Sequence, residues 1–443
     1  MYNLAMISIK AKFKKMQPGR KLIIGFATII FIGAILLYLP ISHLDGQTIS
    51  LVDSFFISFS AVCVTGLSTI DIGGTLSVFG SVILATLIQL GGIGFASFAL
   101  FFLMLVRTDL SFSNTQLARE ALNSLPGFDI RSLVKTVIVT SLSCEIIGAG
   151  LSYLVFRHDY STYHAFGISV FHAISSFNNA GFDLLGDFKG LVPYQSNVLL
   201  NLTTSILIVF GGLGFFVIHD FTRARLSKNK KLKFHTKIVL SVSGVLIFLG
   251  TIGFYAAERG QITLLQAFFQ SVTARTAGFN TMDISQMKNA SIVIMIVLMF
   301  IGASPGSTGG GIKTTTLFTI FLTIFKIPTH HPVQAFYRKI SDESILKAFI
   351  VATFAILVIL LGTGIIFSIE GSKFTFEQVL FECVSAFATV GLSMGVTTQL
   401  SISSKFIIMA LMFIGRLGPL TIAYSWRRNS KNIQYVEENI LIG

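Results

Sequence analysis

Four short segments of the chain align without gaps on one glycine, and their backbone could bind a cation. The candidate filter residues are Val64, Thr65, Gly66 and Leu67 in the first segment, Asn179, Ala180, Gly181 and Phe182 in the second, Thr276, Ala277, Gly278 and Phe279 in the third, and Thr389, Val390, Gly391 and Leu392 in the fourth. A dehydrated cation needs replacement oxygens, which rings of backbone carbonyls supply in K⁺ filters. Glycine permits the φ/ψ values that point successive carbonyls one way. The segments therefore predict a four-part cation filter.

The first and fourth segments are close to the Thr-Val-Gly part of the K⁺-channel loop TVGYG, but the second glycine of that loop is missing in all four. We therefore expect fewer ordered carbonyl layers and weaker discrimination by multi-ion occupancy. The alternative is that the glycines only allow close helix packing, as small residues do in membranes. Four aligned copies favour the filter.

A second glycine-rich signature follows each segment after an apolar run. It begins at Gly91, Gly211, Gly302 and Gly415, which lie 25, 30, 24 and 24 residues after the filter glycines. Such regular recurrence indicates an internal repeat. The apolar segment immediately before each filter glycine is about 12 residues long, too short to cross a bilayer, which takes about 20 apolar residues. Each unit therefore reads as span, re-entrant helix, glycine turn and span, because irregular backbone at membrane depth must be buried or line a cavity.

The composition agrees with a membrane protein, because the 443 residues are 53% hydrophobic and only 12% charged. The expected fold is an all-α integral membrane protein of eight transmembrane helices, in four span–pore-loop–span repeats arranged with pseudo-fourfold symmetry around one pore. The eight expected spans are residues 22–40, 76–106, 136–156, 198–218, 238–255, 292–325, 348–367 and 406–424.

The net charge of +13 indicates topology rather than nucleic-acid binding. With both termini cytoplasmic, 24 of the 33 basic residues fall on the inner side, as the positive-inside rule requires. The basic loops carry only scattered aromatic residues, whereas a nucleic-acid surface needs stacking aromatics. Lipid and protein are therefore the expected partners, in a multi-pass cell-membrane protein. The predicted segments are 1–21 (cytoplasmic), 22–106 (repeat 1), 107–134 (linker), 135–219 (repeat 2), 220–236 (basic loop), 237–326 (repeat 3), 327–345 (linker), 346–426 (repeat 4) and 427–443 (tail).

The third and fourth repeats depart from the others where a gate is expected. A glycine-rich run interrupts the span of residues 292–325 within residues 302–316, and Arg416 occupies the matching place in the fourth repeat. A charge within a span is costly and usually functional, and we expect Arg416 to face the cavity and repel cations. Its alternatives are a contact to a helix end or an ion pair with Glu145. The predicted gate residues are Gly302, Ala303, Ser304, Pro305, Gly306, Ser307, Thr308, Gly309, Gly310, Gly311, Lys313 and Arg416.

Other classes of protein fit the chain less well. The run from Gly306 to Thr314 nears the phosphate-binding pattern G-x-x-x-x-G-K-[ST], but it carries an extra residue and follows a membrane helix. No activated nucleophile stands beside a base, so no enzyme is expected. In a secondary transporter with inverted repeats, successive repeats have opposite orientations in the membrane. Each repeat here contains two spans, so every repeat begins and ends on the same side, which favours a channel-like pore. Weaker polar candidates near the filter are His172, Asn178, Arg275 and Glu382.

The four loops, with the segments 302–316 and 413–421, resemble the superfamily of K⁺ transporters that contains the Trk, Ktr and HKT proteins, and most of all the KtrB/KtrD membrane subunits of bacterial Ktr systems. The resemblance implies a homodimer with one pore per subunit and K⁺ uptake, with Na⁺ as an activator. It implies a cytosolic nucleotide-binding ring, RCK or KtrA-like, that controls the gate, so nucleotide would act only through that partner. No covalent cofactor is expected.

The resemblance also bears on the choice of ion. In this superfamily a glycine in all four loops is the K⁺-permissive pattern, and a serine in the first loop favours Na⁺. This chain has Gly66 there. The alternative prediction is a Na⁺-translocating member of the same superfamily.

Overall fold

The computed structural model describes residues 16–94, 97, 104, 129–226, 231–329 and 331–418. Within these residues the helices of ten residues or more are α1 (Pro18–Tyr38), α2 (Leu51–Cys63), α3 (Val78–Ile93), α4 (Ile130–Phe156), α5 (Thr162–Phe177), α6 (Val198–Leu213), α7 (Phe215–Leu226), α8 (Phe234–Ala257), α9 (Leu264–Thr273), α10 (Asn289–Phe300), α11 (Thr314–Lys326), α12 (Asp342–Glu370), α13 (Phe376–Ala388) and α14 (Ile402–Leu417). The short helical turns are Pro40–Ser42, Ile72–Thr75, Val192–Tyr194, Ile284–Gln286, Ile327–Thr329, Gly371–Lys373 and Thr397–Gln399. One antiparallel hairpin pairs β1 (Gln334–Ala335) with β2 (Arg338–Lys339).

The predicted segments 1–21, 107–134 and 427–443 lie wholly or largely outside the described residues. The remaining architecture confirms an all-helical membrane protein with several apolar spans. Helices α1, α4, α8 and α12 are long and apolar enough to cross a membrane, and each opens one of the expected repeats. A bilayer core is crossed by about 20 helical residues, which these four helices supply without a break.

The second span of each repeat is not one continuous helix, although the sequence indicated a break only within residues 292–325. Helix α3 ends at Ile93, α6 and α7 meet at an angle of 92°, a loop separates α10 from α11, and α14 ends at Leu417. The helices end at Gly94, Gly214 and Gly418, whose φ values are +84°, +89° and +82°. A right-handed helix requires negative φ, and glycine is the residue that leaves that region most readily. With the bent pair counted as one span, up to five spans pass the length test among the described residues.

The expected re-entrant helices are α2, α5, α9 and α13, of 10 to 16 residues each. Three of them begin at a capping side chain: the hydroxyls of Ser50, Thr263 and Thr375 accept the backbone N–H three residues later. Such a cap satisfies an otherwise unpaired donor at the helix start. Local residue types thus determine where these three helices begin, and the glycine loop determines where each one ends.

Small residues bring the short helices close to the long ones. A methyl group on Gly33 of α1 would lie 2.6 Å from Ser58 Oγ of α2, and Ser58 donates to Ile30 O at 2.7 Å. In the third repeat Ser271 of α9 donates to Ile247 O of α8 at 2.9 Å. Small residues and hydroxyl bonds are the usual means of helix association in membranes, and here they hold the re-entrant helices against the outer ones.

Candidate ion pathway

The four filter glycines meet in a closed ring. A methyl group added to Gly66 would lie 3.2 Å from Gly181 Cα, and one on Gly181 would lie 2.9 Å from Gly278 Cα. The ring continues from Gly278 to Gly391 Cα at 3.2 Å and closes from Gly391 to Gly66 Cα at 3.0 Å. With the backbone as it stands, an added methyl group would therefore clash with a neighbouring loop at each of the four positions. The four aligned segments therefore converge in chain order around one axis.

The backbone repeats its conformation from loop to loop. The filter glycines have φ values of +93°, +72°, +83° and +94° along the chain. Two residues before each glycine, Val64, Asn179, Thr276 and Thr389 also have positive φ, at 57°, 58°, 77° and 52°, while the residue between has negative φ. This alternation allows successive carbonyls to face the same side of the chain, as a carbonyl filter requires.

The filter residues beside the four glycines are buried. Thr65, Ala180, Ala277 and Val390, each next to a filter glycine, are fully buried. The large apolar residue after each glycine is also buried. Since glycine has no side chain, the four glycines themselves present only backbone to one another.

Hydroxyl groups hold the filter loops in place. In the first and fourth repeats the N–H groups of Gly66 and Gly391 donate to Ser60 Oγ and Ser385 Oγ at 3.0 and 3.1 Å. In the third repeat Thr273 Oγ1 donates to the carbonyl of Phe279 at 2.6 Å. These hydroxyls sit on the re-entrant helices, so each of these three loops is tied to its own helix.

A cavity of about 500 Å³ opens on one side of the ring. All four filter glycines line it, together with Asp71, Asp183 and Asp283. The pKa of Asp183 is raised to about 6, because burial and the negative charge of Asp71 outweigh the opposing hydrogen bond that its carboxylate accepts from Leu185 N–H at 3.0 Å. Among the described residues that line the cavity there is no Lys or Arg, so its walls favour cations.

These aspartates were missed from the sequence, although a signal for two of them was present. Asp71 and Asp283 each stand five residues after a filter glycine, Gly66 and Gly278. Asp183 follows its glycine by two residues. Extending the alignment of the repeats beyond the filter would have brought the first two out as a pair.

On the other side of the ring, the loop of residues 302–313 packs against the filter. Gly310 N donates to Thr389 Oγ1 at 2.9 Å. A methyl group on Gly309 would overlap the Thr276 hydroxyl. The predicted gate loop therefore contacts the filter directly, and glycine at these positions is what lets its backbone approach so closely.

The same loop completes the break between α6 and α7. Ser304 N donates to Gly212 O at 3.0 Å, and Phe215 N donates to Gly306 O at 2.8 Å. Broken helices at membrane depth persist only where such partners satisfy the freed backbone groups. The irregular stretches of the second and third repeats thus stabilise each other.

Two basic side chains donate hydrogen bonds to backbone carbonyls of the loop. Lys313 Nζ donates to the carbonyls of Gly309 and Gly310 at 2.7 and 3.2 Å. Arg416 donates to the carbonyl of Thr308. The predicted gate residues of the third and fourth repeats are therefore in contact, and they place two basic side chains on the side of the ring opposite the acidic cavity.

Arg416 also binds the end of α3. Its guanidinium donates to the carbonyls of Gly91 and Gly92, the latter at 3.2 Å. The last carbonyls of a helix carry partial negative charge, so Arg416 makes the helix-end contact that was one of its alternatives, and its role in repelling cations stays a prediction. Glu145, the other alternative, accepts hydrogen bonds from Gln89 at 2.9 and 3.1 Å instead.

Three of the weaker polar candidates form side-chain hydrogen bonds with neighbouring segments. His172 lies 2.8 Å from Thr204 Oγ1. Arg275 donates to Ser243 of α8 at 3.1 and 3.3 Å, so it reaches away from the filter. Glu382 accepts from Ser393 Oγ at 2.9 Å and from the hydroxyl of Thr397. The last contact ties the re-entrant helix α13 to the wall of the acidic cavity.

Comparison with known proteins agrees with this architecture. The TrkH family model, described as cation transport protein, matches residues 10–434. The chain is 36% identical to the potassium/sodium uptake protein NtpJ of Enterococcus hirae, over 97% of this chain and 98% of that protein. It is 36% identical to the Ktr system potassium uptake protein B of Bacillus subtilis, over 98% of each.

A protein of the same description in Vibrio alginolyticus is 37% identical, over 98% of this chain and 96% of its own length. The crystal structure of the potassium transporter TrkH from Vibrio parahaemolyticus superposes with a TM-score of 0.69, covering 91% of this chain and 86% of that one. Its 18% identity supports the fold alone. The chain therefore belongs to the TrkH family of cation transport proteins, a family of transporters rather than enzymes.

Proposed function

We propose that the protein takes up K⁺ across the cell membrane through a channel-like pore. The observation that carries the proposal is the closed ring of four glycines, with an acidic cavity on one side and the loop of residues 302–313 on the other. Carboxylates at the mouth of a pore concentrate cations, and backbone oxygens replace their water. The potassium uptake named for the relatives from Bacillus subtilis and Vibrio alginolyticus supports K⁺ as the ion.

In this proposal the four filter segments bind K⁺ through their carbonyls. The pore is formed by eight membrane segments in four pseudo-symmetric repeats, the second segment of each being broken at its glycine. The glycine at position 66 supports K⁺ over Na⁺, because the superfamily that this chain resembles carries serine there in Na⁺-favouring members. The acidic cavity is the outer mouth, since the basic loops then lie in the cytoplasm.

The gate in this proposal is the loop of residues 302–313 with Arg416. The support is geometric, because the loop lies against Thr389 and Thr276 of the filter and would block the inner side of the ring. Its two cationic anchors, Lys313 and Arg416, add an electrostatic barrier to a dehydrated cation. Opening then requires the loop to leave Thr389, with or without its anchors.

Regulation is proposed to come from a cytosolic nucleotide-binding ring, with Na⁺ as an activator and the membrane subunit as a homodimer. The support is the likeness to Ktr-system proteins. The basic segment 223–237 is a candidate docking surface for that ring. Both termini would then face the cytoplasm, as the positive-inside rule favours.

A second candidate function is transport of Na⁺ together with K⁺ or in its place. The observation in its favour is the similarity to a protein described as a potassium/sodium uptake protein. The absence of the second TVGYG glycine from all four loops also reduces the number of carbonyl layers that can discriminate between the two ions.

The two candidates are separated by ⁸⁶Rb⁺ and ²²Na⁺ flux into proteoliposomes, comparing the wild type with Gly66→Ser. A K⁺ filter predicts that the wild type prefers Rb⁺ and that Gly66→Ser loses this preference. Gly364→Ser is the matched control, because Gly364 has no neighbouring atom within 4 Å of an added methyl group. A wild type that prefers Na⁺ would support the second candidate, and an unchanged preference in Gly66→Ser would contradict the filter assignment.

A further inference from the structure

A carboxylate within the membrane has no role in the pathway as described so far. Glu145 lies in the middle of α4 and is 7% exposed. Among the described residues no basic side chain forms an ion pair with it. An acidic group inside a span is costly and usually functional, so its partners indicate what it does.

Those partners are two amides from two other elements. Gln89 of α3 donates to both carboxylate oxygens of Glu145, at 2.9 and 3.1 Å. Asn178, next to filter residue Asn179, donates to Gln89 Oε1 at 2.6 Å and lies 3.3 Å from Glu145 Oε1. The three side chains thus form a polar triad that joins α3, α4 and the second filter loop.

The triad lies beside the point where the proposed gate is anchored. Gln89 is followed two and three residues later by Gly91 and Gly92, whose carbonyls accept Arg416. A methyl group on Gly92 would overlap Asn178 Oδ1, so the amide is pressed against this end of α3. The same end of α3 therefore touches the gate on one side and the second filter loop on the other.

The triad also acts on the filter itself. Asn178 is held to Ile174 O at 2.9 Å as well as to the triad, which fixes the end of α5. The side-chain amide of the next residue, Asn179, lies 3.2 Å from Thr276 Oγ1 of the third filter loop. A shift of Asn178 would accordingly be passed to two of the four loops.

We infer that Glu145 is a positioning residue that couples the second filter loop to the docking point of Arg416, through the amides of Gln89 and Asn178. Its carboxylate is the only member that accepts without donating, so it orients both amides at once. Hydrogen bonds to a charged acceptor are about twice as strong as neutral ones. The inference rests on the proposed function, because it assigns Glu145 a part in ion preference and gating.

The test exchanges the residue types of Gln89 and Glu145, the donor and the acceptor of the two shortest contacts to the carboxylate. Glu145→Gln keeps the shape but removes the charged acceptor, and we expect the K⁺ over Na⁺ preference to fall by about tenfold, the value of one charge-assisted bond. The double variant Gln89→Glu with Glu145→Gln returns a carboxylate to the triad, where it can accept from the amide introduced at position 145 and from Asn178. We expect it to restore most of the preference.

The readouts are the ratio of K⁺ to Na⁺ dissociation constants by calorimetry of the purified protein and the ratio of Rb⁺ to Na⁺ flux in proteoliposomes. Glu258→Gln is the matched control, since this buried glutamate accepts from Lys288 N at 3.1 Å, far along the chain from the triad, and should leave both ratios unchanged. Elution as a single peak in size exclusion shows that each variant is folded.

The outcomes separate the two ideas. An unchanged binding ratio in Glu145→Gln, or a loss that the swap does not restore, would overturn the role of Glu145. A wild type that binds K⁺ selectively but carries no Rb⁺ would contradict the proposed uptake function, while the binding ratios would still decide the part played by Glu145.

Discussion

The two sides of the glycine ring differ in how closely the four repeats agree. In the segments that follow the re-entrant helices, the four loops share one backbone conformation, with positive φ at the glycine and two residues before it. In the second spans of the four repeats only a break of the helix recurs, and in the third repeat this break is a long loop. Binding an ion on an axis needs oxygens from all sides, whereas one loop is enough to close a pore.

The largest effect expected from this comparison is at the ring itself. Gly391→Ala would place a methyl group against the carbonyl of Thr65 at a φ of +94°. A left-handed conformation alone costs an L-residue about 1–2 kcal/mol, so we expect Rb⁺ flux in proteoliposomes to fall more than tenfold. Gly364→Ala, with open space around it, should keep wild-type flux. Equal flux in the two variants would show that the ring tolerates side chains.

The second prediction concerns the loop that distinguishes the third repeat. Deleting residues 306–310 removes the backbone that lies against Thr389 and Thr276, and a blocking loop predicts that Rb⁺ flux rises severalfold. The Rb⁺ over Na⁺ preference, measured in the same liposomes, reports whether the filter has survived the deletion. Flux that is unchanged or lower, with the preference intact, would rule out a gate at this loop.

The sequence predicted the ring far better than its surroundings. Four aligned glycines imply four equivalent loops, and the backbone conformation at Gly66 and its equivalents follows from residue type. The positive φ of Val64 and Thr389 could not be predicted from residue type, because β-branched residues rarely adopt positive φ. At these two positions the packing of the ring imposes it. Apolar content likewise predicted the spans but, outside residues 302–316, not their breaks, since a glycine within a span is compatible with an unbroken helix.

Long-range partners were the other limit of the sequence. The gate was predicted at residues 302–316 and Arg416 because both interrupt spans. That Arg416 reaches both this loop and the end of α3 depends on the tertiary packing, which brings it to Gly91, 325 positions earlier in the chain. No local pattern carries that information, and the link from Glu145 to Gln89 was missed for the same reason.

The third prediction concerns a substitution that weakens the hydrogen bonds between Arg416 and the loop without removing them all. Arg416→Lys keeps the charge but loses the planar fork that reaches Thr308 O and Gly91 O together. One charged hydrogen bond is worth about 1.5 kcal/mol, so we expect Rb⁺ flux to rise by at most about tenfold. Arg416→Gln should exceed Arg416→Lys, because the positive charge is lost as well. The reverse order in liposome flux would mean that the guanidinium opens the pore rather than closing it.

The smallest effect belongs to the acidic cavity. Asp183, whose pKa is raised to about 6 by burial and by Asp71, is charged above that pH and neutral below it. The cavity therefore loses one negative charge as the pH on its side falls through about 6. A unit charge about 10 Å from the ion contributes about 0.4 kcal/mol in water, so the KM for Rb⁺ should rise about twofold.

Asp183→Asn gives the matched comparison, because it should carry the raised KM at every pH and show no step near pH 6. This pH dependence is expected only on the side of the acidic cavity, since the opposite side of the ring is bordered by Lys313 and Arg416 rather than by carboxylates. Acidifying the interior of the liposomes at constant external pH should accordingly leave the KM unchanged when the cavity faces outward. A step that persists in Asp183→Asn would assign the titration to another group.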